Sequence, residues 1–319
     1  MSPTGRGASA RPPSFDPGLT QHASGAWRRA INQDGSFNVR RQKTPWRDVH
    51  PYLYLINVPW PLFLGLVFVA YLAVNVIFAL SYMALGPSAL QGALADTPRD
   101  HFLTAFFFSA HTLTTVGYGT LAPRGTPANL LAAFEALVGL LGFAVATGLL
   151  FGRVSRPSAR IGFSPKMLMA PYQNGDSLQF RIVNRRSNVL MNLEASLLLM
   201  TVEGPRGQEV RRYQRLALER ESVYFLPLTW TIVHPIDDDS PLKGWTVVDL
   251  EARQSEFLIL IKGFDDTFSQ TVHARFSYTW DEVVYGATFT KAFHMDPSGD
   301  VVLDVDQVGA FATADVETP

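Results

Sequence analysis

The sequence predicts a membrane α module followed by an all-β domain. Three observations carry this. Two long apolar runs, Val58–Leu85 and Ala128–Gly152, are each long enough for a spanning helix. A shorter apolar run, Phe102–Thr114, lies between them. After Pro157 the texture changes to short alternating segments punctuated by Gly, Pro, Asn and Asp.

The first run holds no charged residue over about 28 positions, roughly 40 Å of helix, enough to cross a ~30 Å hydrocarbon layer with tilt. The second carries one charge, Glu135, and several glycines suited to close helix approach inside a membrane. The middle run is too short to span and reads as re-entrant, so its backbone must be buried in protein or line a water-filled cavity. Arg28, Arg29, Arg40, Arg41, Lys43 and Arg47 precede the first span, and Arg153, Arg156 and Arg160 follow the second. The connecting stretch outside the short helix offers Arg99 and Arg124, so the positive-inside rule places both termini in the cytoplasm.

Met1 to about Ala26 is rich in Pro, Ser and Gly and predicts a disordered tail, without the apolar core of a signal peptide. Thr44 and Pro45 suit a helix start, and Trp46, Val49, Leu53 and Ile56 share one face of a short interfacial helix that Pro51 would interrupt. In the C-terminal half, Leu178–Val183, Leu193–Val202, Trp230–Val233, Phe257–Ile261 and Thr271–Tyr278 read as strands of a sandwich. The net charge of -1 gives no electrostatic pointer to nucleic acid, and the absence of cysteine excludes disulfides and thiolate metal sites. No nucleophile–base arrangement or phosphate-binding loop appears, which argues against an enzyme or a bound cofactor. Asp237-Asp238-Asp239 reads as a solvated loop rather than a metal site.

Thr115-Val116-Gly117-Tyr118-Gly119 follows the short helix directly. This pentapeptide is that of potassium-selective filters, so its reading is one of resemblance. A dehydrated potassium ion needs oxygens in place of its water shell, and successive backbone carbonyls aimed at one axis supply them. Gly117 and Gly119 permit the unusual dihedrals this requires. The expected ligands of K+ are the carbonyls of Thr115, Val116, Gly117 and Tyr118, with the Thr115 hydroxyl at the inner end. One chain supplies one wall, so the ring requires four subunits.

On the second span, Phe143, Thr147 and Phe151 share one face. They either line a conduit, with Phe151 closing it by dewetting, or serve ordinary packing. Gly139 and Gly142 either let the helix bend or serve packing. Glu135, ionisable within a span, and His111, just before the filter, are either functional groups or hydrogen-bonding supports behind it.

FRIVNRRS (Phe180–Ser187), WTIVHPIDDDSPL (Trp230–Leu242) and VHARFSYTWDEVVYG (Val272–Gly286), with the filter, resemble the inward-rectifier potassium channels, most closely their bacterial branch. The resemblance covers about Thr44 to Asp304. It implies a homotetramer in a bacterial inner membrane, with a cytoplasmic immunoglobulin-like sandwich that extends the pore. The expected organisation is a disordered tail over 1–43, a slide helix over 44–57, a pore domain over 58–156, the sandwich over 157–310 and a second disordered tail over 311–319. It implies a helix-bundle gate at Phe151, a cytoplasmic loop gate including Gly263, Phe264 and Ser269, and anionic-lipid contacts at Arg153 and Arg156, which also suit a negatively charged leaflet.

The chain departs from the family pattern in several places. Phe143 occupies the cavity position whose acidic residue favours strong rectification in some members. Asn192 and Lys262 stand where eukaryotic members often carry glutamate. A cationic blocker needs negative charge along the pore, so weak rectification is expected. His111 replaces a glutamate common before the filter and Leu121 an arginine after it, so the usual bracing ion pair is absent. Two rival readings follow: a general cation pore without potassium selectivity, and a membrane-anchored β-sandwich binding protein that does not conduct.

Overall fold

The computed structural model describes residues 17–19, 29–40, 50–92, 97–155, 159–173, 175–205 and 208–313. They fall into two units, one of Arg41–Arg156 and the other of Met1–Arg40 with Pro157–Pro319.

The first unit holds α1 (Pro51–Asn57), α2 (Trp60–Ala84), β1 (Leu90–Gln91), α3 (Pro98–Leu113), β2 (Ala122–Pro123) and α4 (Thr126–Val154). Each helix has a proline in its first two positions, where the missing N–H costs no intrahelical bond. Pro51 therefore opens α1, after His50 in an extended conformation. The expected helical start at Thr44–Val49 lies outside the described residues. Thr97 caps α3 by accepting from the Asp100 amide at 3.2 Å, and its hydroxyl donates back to Asp100 Oδ2 at 2.6 Å.

Phe78, Ala79 and Tyr82 of α2 pack with Ala105 and Phe108 of α3 and with Leu90. Tyr82 and Phe108 meet edge to face at 5.0 Å. The ladder Leu90↔Pro123 and Gln91↔Ala122 ties the segment before α3 to the one after the pentapeptide. Only 22% of the most apolar window of α2 and 11% of that of α4 is buried within the chain. A core helix of a soluble protein would hide most of such a window, so this surface needs lipid or further copies of the chain to cover it.

The second unit comprises β3 (Ile161–Phe163), β4 (Met167–Tyr172), β5 (Gly175–Asn184), β6 (Leu190–Glu203), β7 (Val210–Leu216), β8 (Ser222–Phe225), β9 (Thr229–Ile236), α5 (Val247–Ala252), β10 (Glu256–Asp265), β11 (Gln270–Thr279), β12 (Val283–Tyr285), β13 (Ala287–Phe289), β14 (Phe293–Met295), β15 (Val301–Leu303) and β16 (Phe311–Thr313). One five-stranded sheet runs β11-β10-β6-β7 with β8 also on β6, and a second runs β12-β4-β5-β3 with β9 also on β5. Alternating inward residues of both build one core, including Phe180 and Ile182 from β5, Leu197 and Leu199 from β6, and Phe257 and Ile259 from β10. Phe163 of β3 stacks on Phe276 of β11 at 4.7 Å, joining the sheets.

Two expected tails are corrected in part. Residues 29–40 lie on the β domain. Ile31 is buried, the Ala30 amide donates to both oxygens of buried Glu256 at 2.8 Å, and Arg29 pairs with Glu282 at 2.8 Å. A polar segment can dock without a large apolar face when its backbone satisfies a buried carboxylate. At the other end, residues 311–313 form β16 on β13.

Candidate functional site

The site is assembled where α3 ends. The sign of φ alternates through the pentapeptide, at 60° for Thr115, 56° for Gly117 and 81° for Gly119, with Val116 and Tyr118 negative. A β-branched residue at positive φ is an outlier that costs about 1–2 kcal/mol, which the surrounding contacts must hold in place. The Val116 and Gly117 amides both donate to the His111 carbonyl, at 2.9 and 3.3 Å. In a trans peptide the carbonyl points opposite the next residue's N–H, and no peptide here is cis. The carbonyls of Thr115 and Val116 therefore both point away from α3. A regular strand would send them to opposite sides. The result is a short row of oxygens on one side of the backbone.

The supports lie behind this row. The His111 ring meets Tyr118 edge to face at 4.8 Å, while its carbonyl holds the two amides. Glu135 of α4 is fully buried with Asn75 of α2 and Ser109 of α3. Tyr82 donates to Glu135 Oε2 at 2.8 Å, and Ser109 Oγ touches both Glu135 Oε1 and, at 3.1 Å, Asn75 Oδ1. The cluster fastens three helices through polar contacts. Gly139, one turn further along α4, lies against the end of α3: a Cβ there would sit 2.1 Å from the Leu113 carbonyl oxygen. Of the two readings of Gly139, close packing is the one realised.

Phe143, Thr147 and Phe151 are exposed on one face of α4, further along the four-residue row that starts at buried Glu135 and Gly139. Arg153 is more engaged than the sequence suggests. Its terminal nitrogens donate to the Leu55 and Val58 carbonyls at 2.5 and 2.6 Å. Its guanidinium lies 4.7 Å from the Trp60 ring centre and 4.6 Å from that of Phe63. The side chain thus ties the end of α4 to the corner between α1 and α2. Arg156 lies outside the described residues.

In the β domain, the segment expected as a loop gate, residues 263–269, is strand as far as Asp265 and turn beyond it. Gly263 and Phe264 belong to β10 and pair with Val272 and Thr271, and the turn is confined to residues 266–269. Gly263 sits at a register shift against β6, where a Cβ would press on Leu193 at 3.2 Å. Buried Asp265 accepts from the Thr267 and Phe268 amides at 3.0 and 3.3 Å, fixing the turn, and Ser269 takes φ 50°. Lys262 faces Glu194 at 3.2 Å, so this carboxylate has a cation beside it. Asn192 is exposed on the same strand as Glu194.

Two long apolar helices flanking a shorter one, with a row of carbonyls after it and an all-β domain beyond, fit a two-helix ion channel subunit. Residues 66–156 match the family model described as "Ion channel", and residues 161–319 that of the "Inward rectifier potassium channel C-terminal domain". The inward rectifier potassium channel Kirbac3.1 of Paramagnetospirillum magnetotacticum is 39% identical over 281 residues, covering 87% of this chain and 93% of that one. The ATP-sensitive inward rectifier potassium channel 10 of Mus musculus is 28% identical, with 87% and 79% covered. The G protein-activated inward rectifier potassium channel 3 of Mus musculus is 27% identical, with 96% and 83% covered. The chain belongs to the inward rectifier potassium channel family.

Sequence reasoning missed Asn75, Ser109 and Tyr82 as partners of Glu135. A polar residue inside each apolar run was the available signal, since such groups in a membrane seek one another. The Arg153 contacts had no comparable signal, because they go to backbone carbonyls.

Proposed function

We propose that four copies of this chain form a potassium-selective pore, with K+ held by the carbonyls of Thr115, Val116, Gly117 and Tyr118. The observation that carries this reading is the paired donation of the Val116 and Gly117 amides to His111, which turns successive carbonyls to one side. A row of oxygens from one chain replaces part of an ion's hydration shell, and symmetry-related rows complete it. His111 and Glu135 act as filter supports through α3. Phe143 and Thr147 line the path, and Phe151 closes it near the cytoplasmic end, since all three share the exposed face of α4.

In this reading the β domain is an immunoglobulin-like cytoplasmic extension of the pore, with the turn after Phe264 narrowing it as far as Ser269. Both termini are cytoplasmic and the membrane is a bacterial inner membrane. Anionic head groups modulate gating by competing with the Leu55 and Val58 carbonyls for Arg153, and Arg156 is the second basic residue they engage. The chain is not an enzyme and takes no cofactor.

The bi-ionic permeability ratio in planar bilayers tests selectivity. Potassium strongly preferred over sodium is the expected result, and equal permeability would establish the general cation pore instead.

A further inference from the structure

Resting on that reading of the pore, we infer that Glu135 is present as the un-ionised carboxylic acid. It donates its proton to Ser109 and acts as the positioning residue behind the filter.

The buried cluster has one hydrogen too few for its contacts if Glu135 is ionised. Asn75 Oδ1, Ser109 Oγ, Glu135 Oε1, Glu135 Oε2 and Tyr82 Oη make a run of three polar contacts: Asn75 to Ser109, Ser109 to Glu135, and Glu135 to Tyr82. Each contact needs one hydrogen. The Ser109 and Tyr82 hydroxyls own one each, and a carboxylate owns none. With ionised Glu135 one contact would therefore set two acceptors face to face. All four residues are buried, so no open water surface relieves such a contact.

Turning the Asn75 amide over does not remove the difficulty. Its Nδ2 donates to the Tyr71 carbonyl at 2.8 Å, and the reversed amide would bring Oδ1 against that oxygen. A carboxylic acid closes the run without conflict. Glu135 donates to Ser109, Ser109 to Asn75, Asn75 to Tyr71, and Tyr82 donates to the remaining oxygen of Glu135. Among the described residues no Lys or Arg pairs with Glu135, so nothing there offsets the cost of a buried charge.

The consequence reaches the filter through α3. Ser109 lies two residues before His111, whose carbonyl holds the Val116 and Gly117 amides. A neutral, fully paired network fixes that helix without setting a negative charge beside the ion path. It does the bracing that the absent ion pair would do.

The test is infrared difference spectroscopy of the purified protein in liposomes at neutral pH, wild type minus Glu135→Gln. The expected result is a protonated-carboxyl C=O band that disappears in the variant. A difference confined to carboxylate bands overturns the inference. Glutamine reproduces the acid's pattern, because its NH2 donates to Ser109 and its oxygen accepts from Tyr82. Rubidium uptake by Glu135→Gln should therefore stay within about twofold of wild type while Glu135→Ala falls about tenfold, as expected for leaving a buried polar partner unsatisfied. Equal loss in both variants overturns it. Should Glu135→Gln not assemble, the wild-type band is compared with Ser109→Ala, where the acid loses its acceptor and its C=O band moves to higher frequency. An unmoved band overturns the inference. The band is read without ion flux, so a protein that shows it but does not conduct refutes the proposed pore alone.

Discussion

Gly139 shows how one missing side chain positions a functional backbone. The end of α3 carries the carbonyls that hold the pentapeptide, and α4 approaches it closely because position 139 has no Cβ. Gly139→Ala should lower the thermal stability of the detergent-solubilised protein by about 1–3 kcal/mol, the usual cost of overpacking. Gly142→Ala, where a Cβ meets nothing within 4 Å in the chain, should cost less. Equal losses would show that the approach at Leu113 is not the constraint. From spacing alone the two glycines were equivalent, because a close contact to a carbonyl leaves no trace in periodicity. The pentapeptide was legible as a motif, but the positive φ at Thr115 was not, since Thr is a residue type that rarely adopts it.

At the scale of elements, the segment leading out of β9 is locked by His234. This residue is buried, its Nδ1 lies 2.6 Å from the Ala217 carbonyl and its Nε2 2.8 Å from Ser240 Oγ. Nδ1–H donates to the carbonyl, Ser240 donates to Nε2, and the Leu242 amide donates to Ser240 at 3.2 Å. The neutral ring completes this chain. Burial pushes the imidazole below its ordinary value of 6.5, against the smaller opposing effects of the Ala217 carbonyl and the Asp237 charge. The folded state thus takes up this proton less readily than the unfolded chain. Stability from His234 is fully present above the unfolded value and is lost as pH falls through it toward the lower folded one.

Chemical denaturation of the whole protein should accordingly show stability declining below about pH 6.5, with a shallower decline in His234→Gln. An unchanged slope in that variant would contradict the assignment. The strands themselves were readable in advance because alternation marks a half-buried sheet: Leu178–Val183, Leu193–Val202, Phe257–Ile261 and Thr271–Tyr278 all fall inside observed strands. The segment 29–40 was not, since part of its docking is through backbone amides on Glu256, which composition does not register.

For the whole molecule, the division into a membrane unit and a β domain followed from hydropathy, and the family from motifs spread over most of the chain. What a single chain leaves open is closure, because the exposed apolar faces of α2 and α4 call for lipid or further copies and the proposed carbonyl ring calls for further copies. Charge along the proposed path sets rectification. Phe143 is apolar, Asn192 is neutral, and Lys262 stands beside Glu194 at 3.2 Å. At these three positions a polyamine finds little uncompensated negative charge, so spermine should block outward current weakly and with shallow voltage dependence. Strong, steep block in reconstituted protein would contradict this.

The central claim is that potassium crosses the membrane along the backbone of Thr115–Gly119. Rubidium uptake into liposomes holding the purified protein tests it most directly, with barium and sodium controls and Gly117→Ala, whose added Cβ is strained at φ 56°, as comparator. Uptake should be blocked by barium, unsupported by sodium, and abolished by Gly117→Ala. Uptake equally supported by sodium, or unaffected by Gly117→Ala, would contradict it.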